Sequence, residues 1–135
     1  MGTQVNWKSL EERAWVARER AYAPYSKFAV GAALLADSGE IFTGCNVENV
    51  SFGLTICAEQ VAVSTAVQAG CRQFSGIVVV ADTEIPAIPC GACRQFLAEF
   101  SPALAIFCVG RGGVHRTWSL SALLPLPFDR ITKAS

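Results

Sequence analysis

Two cysteine-containing elements, far apart along the chain but suited to a single metal ion, constrain the fold more than any other feature. The first runs from Cys57 to Glu59 and reads Cys-Ala-Glu, and the second runs from Pro89 to Cys93 and reads Pro-Cys-Gly-Ala-Cys. Three thiols can supply three of the four tetrahedral ligands that Zn²⁺ prefers, which leaves one position for water. The residues between the two elements are enough for one helix and one strand. The fold should therefore bring the two elements together after that helix and strand.

A glutamate two residues after the first cysteine distinguishes this pattern from a structural zinc site. Zinc with an open position activates water, and a carboxylate beside it can take up and deliver protons. The same order, Cys or His with x-Glu and then Pro-Cys-x-x-Cys, is typical of zinc-dependent nucleobase deaminases. A structural site would instead need a fourth protein ligand, for which Cys45, Cys71 and Cys108 are the remaining candidates. The pattern therefore favours a hydrolytic zinc enzyme with Glu59 as its proton carrier.

The composition predicts one domain with apolar surface to cover. At 135 residues, the chain is expected to fold as a single domain over residues 1–135. Apolar residues make up 52% of the chain and charged residues 16%, so part of the apolar surface should lie against other subunits. The 11 basic and 11 acidic residues give zero net charge and form no basic run, which argues against a nucleic-acid polymer as partner. A small neutral molecule is the expected partner.

The N-terminal residues and the cysteines outside the two zinc elements indicate the cellular compartment. Residues 1–8 lack the apolar stretch of a signal peptide, and no apolar run approaches the length of a membrane span. We therefore expect a cytoplasmic protein without membrane association. In that reducing compartment, Cys45, Cys71 and Cys108 should be free thiols if the other three cysteines bind zinc.

The hydrophobic pattern predicts alternating helices and strands. Either Asn6 or, one turn later, Ser9 with Glu12 can cap the first helix. The predicted order is a helix over 5–22, a hairpin of strands 28–36 and 41–43, a helix over 59–69, a strand over 77–81, a helix over 93–100, strands over 104–109 and 114–118, and a short helix after Ser119. This order predicts a three-layer α/β/α domain on a five-stranded mixed sheet, in which strands joined by a helix run parallel.

A short polar segment follows the predicted hairpin. If the backbone is still extended there, Asn46 and Glu48 point to one face while Val47 points to the other. An amide and a carboxylate on one face can bind a diol. Two polar residues in a turn are the alternative.

Several segments together resemble the short, homotetrameric cytidine deaminases, from about Arg18 to Phe128. The zinc elements are typical of a superfamily, whereas residues 22–28 and 46–49 narrow the resemblance to enzymes that act on free nucleosides. The matching segments are Tyr-Ala-Pro-Tyr-Ser-Lys-Phe at 22–28, Gly-Cys-Asn-Val-Glu-Asn at 44–49, the Cys-Ala-Glu at 57–59, Pro-Cys-Gly-Ala-Cys-Arg-Gln at 89–95 and Leu-Leu-Pro at 123–125.

The resemblance implies a cytidine deaminase-like fold and a homotetramer with shared active sites. It implies hydrolytic deamination of cytidine and 2'-deoxycytidine to uridine and 2'-deoxyuridine, with release of ammonia, in pyrimidine salvage. One Zn²⁺ per subunit would be held by Cys57, Cys90 and Cys93, and Glu59 would be the catalytic proton shuttle. The implied substrate contacts are Phe28 against the base, Asn46 and Glu48 on the ribose hydroxyls, the Ala58 backbone on the pyrimidine, and Phe128 in a neighbouring subunit's site. Core packing is the alternative for the two aromatic residues.

Two positions depart from the family pattern. Most members have arginine directly after the catalytic glutamate, where it donates to the zinc thiolates, and this chain has Gln60. An amide donates a hydrogen bond without cancelling charge, so Arg94, the cation nearest to Cys93 in sequence, would have to offset more of it. Phe52 stands where a tyrosine is usual. Gln60 also keeps deaminases of blasticidin S as an alternative.

Three classes of function stay open from the sequence. The first is a nucleoside deaminase, the second a deaminase-like fold acting on a polynucleotide or another aminopyrimidine, and the third a zinc-stabilised binding module without catalysis. Zero net charge argues against the polynucleotide. Glu59 argues against the third class, because a structural zinc site has no use for an acid beside its ligand.

Overall fold

A five-stranded sheet lies at the centre of the chain, of which the computed structural model describes residues 5–129. The strand order across the sheet is β2-β1-β3-β4-β5. β3 and β4 pair in parallel, while the other neighbouring pairs are antiparallel, so the predicted five-stranded mixed sheet is confirmed. The strands are β1 Val30–Ala36, β2 Ile41–Cys45, β3 Phe74–Ala81, β4 Ala105–Val109 and β5 His115–Ser119.

Four α-helices accompany the sheet within the described residues: α1 Trp7–Arg18, α2 Ala58–Gln68, α3 Gly91–Ala98 and α4 Leu120–Leu123. None of them is long and apolar enough to cross a membrane. The two helix-linked strand pairs run parallel as predicted. β3 and β4 are neighbours, whereas β2 and β3 share a direction because both are antiparallel to β1, which lies between them.

The first helix begins where the sequence indicates but ends earlier than predicted. The Asn6 side chain caps it, since its Oδ1 accepts a hydrogen bond from the Ser9 backbone N–H at 3.1 Å. The helix ends at Arg18 rather than near residue 22. The reason is that Tyr22 pairs its backbone with the segment after β2, with its N–H donating to Asn46 O and its carbonyl accepting from Glu48 N.

Alternation along the strands divides the core between two helix layers. In β1, Ala32 and Leu34 pack into the cluster that contains α2, α3 and α4, while Ala33 and Leu35 pack into the cluster that contains α1. All three layers are thereby held together by apolar side chains that are almost fully buried. The predicted three-layer α/β/α architecture is confirmed.

A close approach of α2 to β2 fixes the start of α2. A Cβ at Gly44 would lie 2.4 Å from the Ala58 carbonyl oxygen and 2.6 Å from the Ala62 nitrogen, so only glycine allows this packing. Gly70 follows α2 with a φ of +95°, as expected for a residue that ends a helix. The first residues of α2, which include Glu59, are therefore placed directly against the sheet.

Candidate active site

Three thiols meet where α2 and α3 begin. Cys57 is the N-cap residue of α2, Cys90 is the N-cap residue of α3, and Cys93 lies in the first turn of α3. The Sγ atoms of Cys57 and Cys90 are 4.0 Å apart, those of Cys90 and Cys93 are 3.4 Å apart, and all three lie within 4.8 Å of one another. Two Zn–S bonds of about 2.3 Å at a tetrahedral angle place their sulfur atoms about 3.8 Å apart. The thiol cluster therefore fits a zinc ion.

The surroundings of the cluster favour a thiolate at Cys57. A hydrogen bond from Cys93 lowers the pKa of Cys57 to about 6, and Cys90 adds to this effect. The same hydrogen bond and burial raise the pKa of Cys93. The free N–H groups and partial positive charge at the start of a helix also favour an anionic sulfur. A metal ion bound by all three sulfur atoms would displace the protons of the other two thiols.

The other three cysteines lie outside the cluster. Among residues 5–129, the metal-ligating groups that come together at this point are Cys57, Cys90 and Cys93 alone. Burial raises the pKa of Cys108 to about 12, so it stays a neutral thiol, and the Cys71 thiol donates to the Glu40 carboxylate instead. The described residues thus offer a metal ion three ligands at this point and no fourth.

Glu59 is a buried acid beside the cluster. It lies in the first turn of α2, and only 5% of its surface is exposed. Burial raises the pKa of Glu59 to about 7, and the negative charge of Cys57 adds to the rise. Both the protonated and the ionised carboxyl are accordingly accessible near neutral pH.

A pocket of about 260 Å³ opens onto the thiols and onto Glu59. The predicted metal ligands, the predicted catalytic residue and the predicted substrate contacts within one subunit line it, whereas Gln60 and Arg94 do not. The predicted residues that line it are Phe28, Asn46, Glu48, Cys57, Ala58, Glu59, Cys90 and Cys93. The pocket also has walls that the sequence analysis did not predict, formed by Ser26, Val30, Thr55, Val79, Ala87 and Ile88. Of these, Ala87 and Ile88 directly precede Pro89 and could have been inferred from that position, whereas the two valines have the pattern of ordinary strand core.

Hydrogen bonds hold the predicted sugar-binding side chains in place. Asn46 is buried, with its Oδ1 accepting from Val30 N at 2.9 Å and its Nδ2 donating to Phe28 O at 2.7 Å. The backbone N–H groups of Tyr25 and Ser26 donate to one Glu48 oxygen, and the Ser26 hydroxyl donates to the other. The Ser26 hydroxyl is the main cause of the lowered pKa of Glu48, which is therefore ionised at neutral pH. Both side chains line the same pocket, as the alternation predicts.

Comparison with known proteins identifies the family. The family model described as "Cytidine and deoxycytidylate deaminase zinc-binding region" matches residues 6–109. The chain belongs to this family. Its zinc-binding region contains the thiol cluster described above, so zinc is the cofactor of this deaminase family member.

Three relatives show how far the likeness extends. A cytidine deaminase of Sporosarcina psychrophila is 49% identical over 115 residues, which are 84% of this chain and 85% of that protein. The crystal structure of a cytidine deaminase from Burkholderia pseudomallei superposes with a TM-score of 0.89 at 47% identity, covering 92% of this chain and 100% of that one. A blasticidin-S deaminase of Bacillus cereus is 31% identical over 113 residues, which are 78% of this chain and 80% of that protein.

Gln60 and Arg94 make different contacts around the thiols of this deaminase. The Gln60 side-chain N–H donates to Cys93 Sγ at 3.6 Å, across the boundary between α2 and α3. The Arg94 guanidinium donates to the carbonyl oxygens of Pro89 at 2.8 Å and Leu123 at 3.0 Å. The uncharged amide thus hydrogen-bonds to a cysteine of the cluster, while the cation links α3 to the backbone on either side.

The two predicted substrate-facing aromatics are not core residues. Phe28 is 42% exposed and lines the pocket, while Phe128 is 73% exposed and lies outside the pocket of its own chain. The core alternative is therefore wrong for both.

Replacing Gln60 by arginine is expected to alter turnover or its pH dependence at unchanged zinc content. A cation a few ångströms from the thiolates interacts with them by about 1–4 kcal/mol, depending on the effective dielectric, and about 1.4 kcal/mol corresponds to one pKa unit. Because a cation stabilises the deprotonated form of a nearby group, we expect the kcat profile to shift toward lower pH by on the order of one unit. Zinc analysis and kcat between pH 5 and 9 measure the effect, with Gln68→Arg at the far end of α2 as the control. If Gln60→Arg matches the parent in rate, profile and zinc content, the neutral residue is already compensated.

Proposed function

We propose that this chain is a cytidine deaminase that converts cytidine and 2'-deoxycytidine, with water, to uridine and 2'-deoxyuridine and ammonia, in pyrimidine salvage. The observation that carries the proposal is the convergence of three thiols and one buried carboxyl group on a pocket of nucleoside size. Relatives named cytidine deaminase at 47–49% identity support it.

The proton transfers are assigned to Glu59. Cys57, Cys90 and Cys93 would hold Zn²⁺, which when bound supplies Lewis-acid activation of a water molecule. Glu59 takes a proton from the attacking water and delivers it to the ring nitrogen of the base, while the water oxygen bonds to the neighbouring ring carbon. Glu59 then moves the remaining proton of that hydroxyl group to the amino nitrogen, the carbon–nitrogen bond breaks, and ammonia leaves as the ring carbonyl forms. One carboxyl group within reach of water, ring and leaving group can perform each of these transfers.

Substrate binding is assigned to the walls of the same pocket. Phe28 presents its ring to the base. The Ala58 backbone, at the start of α2, is assigned a contact with the same base. Asn46 and the ionised Glu48 bind the sugar hydroxyls, for which their hydrogen bonds to the backbone orient them in advance. Because Asn46 has a second N–H and a second lone pair, it can contact a hydroxyl without giving up its structural bonds.

The charge of the pocket favours nucleosides over nucleotides. The charged residues among those described as lining it are Glu48 and Glu59, and neither lysine nor arginine lines it. A phosphate on the sugar would approach an ionised carboxylate without a compensating cation. We therefore assign the free nucleoside as substrate.

Blasticidin S is the second candidate substrate. It is favoured by Gln60 and by the relative named blasticidin-S deaminase at 31% identity. The hydrogen-bonded pair Asn46 and Glu48, which suits a ribose diol, favours cytidine.

A spectrophotometric assay tests the substrate assignment. Cytidine, 2'-deoxycytidine, cytosine, deoxycytidylate and blasticidin S are offered separately to the zinc-loaded protein, and the loss of the aminopyrimidine absorbance is followed. We expect turnover of both nucleosides and a kcat/KM at least about 100-fold lower for the nucleotide, since unpaired charge in a binding site costs several kcal/mol. Turnover of blasticidin S alone, or faster turnover of the nucleotide, would overturn the assignment.

We further infer a homotetramer with shared active sites, located in the cytoplasm. Large apolar side chains are exposed on two segments, with Phe52 at 72% and Phe128 at 73%, and exposed apolar patches of this kind mark subunit contacts. All six cysteines are free thiols, which suits a reducing compartment.

Mixed oligomers test whether Phe128 completes the site of another subunit. Base–aromatic stacking is worth about 1–3 kcal/mol, so Phe128→Ala should lower kcat/KM by roughly five- to 150-fold without loss of zinc. Glu59→Ala should cost far more. In co-expressed mixtures, a subunit with intact Glu59 can neighbour one with intact Phe128, and activity should rise well above the sum of the two variants. Mixed oligomers of confirmed composition that show only the additive rate would rule out the shared site.

A further inference from the structure

The side chain of Gln95 makes two reciprocal hydrogen bonds with the backbone of Phe128. Its Nε2 donates to the Phe128 carbonyl oxygen at 3.0 Å, and its Oε1 accepts from the Phe128 N–H at 2.9 Å. Both distances are those of good N–H···O bonds. Such a pair resembles the exchange between two adjacent strands and fixes both the position and the orientation of the peptide that it contacts.

We propose that Gln95 is a positioning residue that holds Phe128 in place for substrate binding. The proposal rests on the function assigned to Phe128 above. The positioning of Phe128 by the two hydrogen bonds from Gln95, called the hold below, can be tested apart from that function. Gln95 is well placed for it, because it lies on α3 two residues after Cys93, and Cys93 and Leu97 are buried on the same helix. The helix that starts at the thiol cluster therefore also sets the place of an exposed phenyl ring.

The segment from Leu123 to Phe128 needs such a hold because the side chains beyond α4 bury little surface. α4 ends at Leu123, and beyond it Leu126 is 90% exposed and Phe128 is 73% exposed. Ordering one backbone residue costs about 1–2 kcal/mol, which exposed side chains do not offset. α3 contacts both ends of this segment, since Arg94 donates to Leu123 O at 3.0 Å while Gln95 binds Phe128.

The chemistry of the amide explains why glutamine suits this position. A primary amide carries a donor and an acceptor side by side on one planar group, and these match the C=O and N–H of one residue. A glutamate would keep the acceptor and lose the donor, leaving its carboxylate facing the Phe128 carbonyl. A methionine would keep the length and lose both hydrogen bonds.

Amide hydrogen exchange measures the hold directly. In Gln95→Met, the Phe128 N–H loses its acceptor, and we expect it to exchange about 5- to 100-fold faster than in the parent, given the usual net contribution of two hydrogen bonds. Gln95→Glu should give a smaller increase. Gln73→Met, a change at an exposed glutamine before β3, is the control and should leave this exchange unchanged. Zinc content and Tm confirm that each variant is folded and loaded.

Kinetics on the same variants connect the hold to the substrate. Gln95→Met should divide its effect between KM and kcat in the same ratio as Phe128→Ala does. Its total loss of kcat/KM should be no larger than that of Phe128→Ala. The double variant Gln95→Met/Phe128→Ala should be no worse than Phe128→Ala alone, because Gln95 acts through Phe128. Gln95→Glu should recover part of the lost kcat/KM.

The outcomes separate the two assignments. Unchanged exchange at Phe128 in both Gln95 variants overturns the proposed hold, and so does a double variant whose losses multiply. Faster exchange combined with full activity of Phe128→Ala refutes the substrate role of Phe128 and leaves the hydrogen-bonded hold standing. Faster exchange, matched kinetic losses and no further loss in the double variant support both.

Discussion

A Glu59→Gln variant is expected to keep the parent's fold and zinc content, while its turnover falls by at least about 10²–10⁴-fold, the usual contribution of a general acid–base group. Glutamine has nearly the same shape as glutamate, so it fits the same buried site in the first turn of α2. It cannot carry a proton, however, and Glu59 is assigned more than one transfer. The loss should therefore lie toward or beyond the upper end of that range and appear in kcat rather than in KM.

Glu99→Gln is the matched control for this experiment. Glu99 lies at the exposed end of α3, so the same chemical change there should leave kcat unaltered. Zinc content, Tm and the circular dichroism spectrum establish that both variants are intact. Near-normal turnover of a zinc-replete Glu59→Gln protein would remove Glu59 from the mechanism and return the third class of function, a binding module, to consideration.

The zinc elements could be predicted from the sequence because their chemistry is local. Cys57 and Glu59 are separated by one residue, and Cys90 and Cys93 by two, so their mutual placement follows from the geometry of a helix start. The order of helices and strands likewise follows from apolar runs and from the positions of glycine and proline, and it correctly predicted a five-stranded mixed sheet. The two zinc elements must also meet in the folded chain. The parallel arrangement of helix-linked strands predicts that they do.

The neighbours of the cluster could not be predicted from sequence proximity. Arg94 follows Cys93 directly, but successive helical residues point about 100° apart, and the Arg94 guanidinium contacts carbonyl oxygens of Pro89 and Leu123. Gln60, on another helix, hydrogen-bonds to Cys93 instead. Contacts between a side chain and a distant backbone, such as Gln95 with Phe128, leave no periodic signal in a sequence. The same holds for the two hydrogen bonds that fix Asn46.

Loss of one thiol from the cluster should have the second largest effect. In Cys93→Ser, a hydroxyl that stays protonated at neutral pH replaces a buried thiol of the cluster. Four-ligand zinc sites bind with about 10–16 kcal/mol, so one lost thiolate removes about 3 kcal/mol, or roughly 100-fold or more in affinity. We expect the variant to lose zinc on dialysis against a mild chelator and to lose activity with it.

Cys108→Ser separates metal loss from the cost of a hydroxyl in the core. Cys108 is as completely buried as Cys93 but lies outside the thiol cluster, so its replacement should lower Tm without lowering the zinc content. For Cys93→Ser, the decisive measurement is the change in Tm on chelation. Bound zinc at about 100 times its Kd stabilises the parent by about 2.7 kcal/mol, so chelation should lower the parent's Tm by several degrees, about 5–10 °C. The variant has little zinc to lose, and its Tm should hardly respond. Equal decreases in both proteins, with full zinc content before chelation, would mean that Cys93 is not a ligand and that another thiol completes the site.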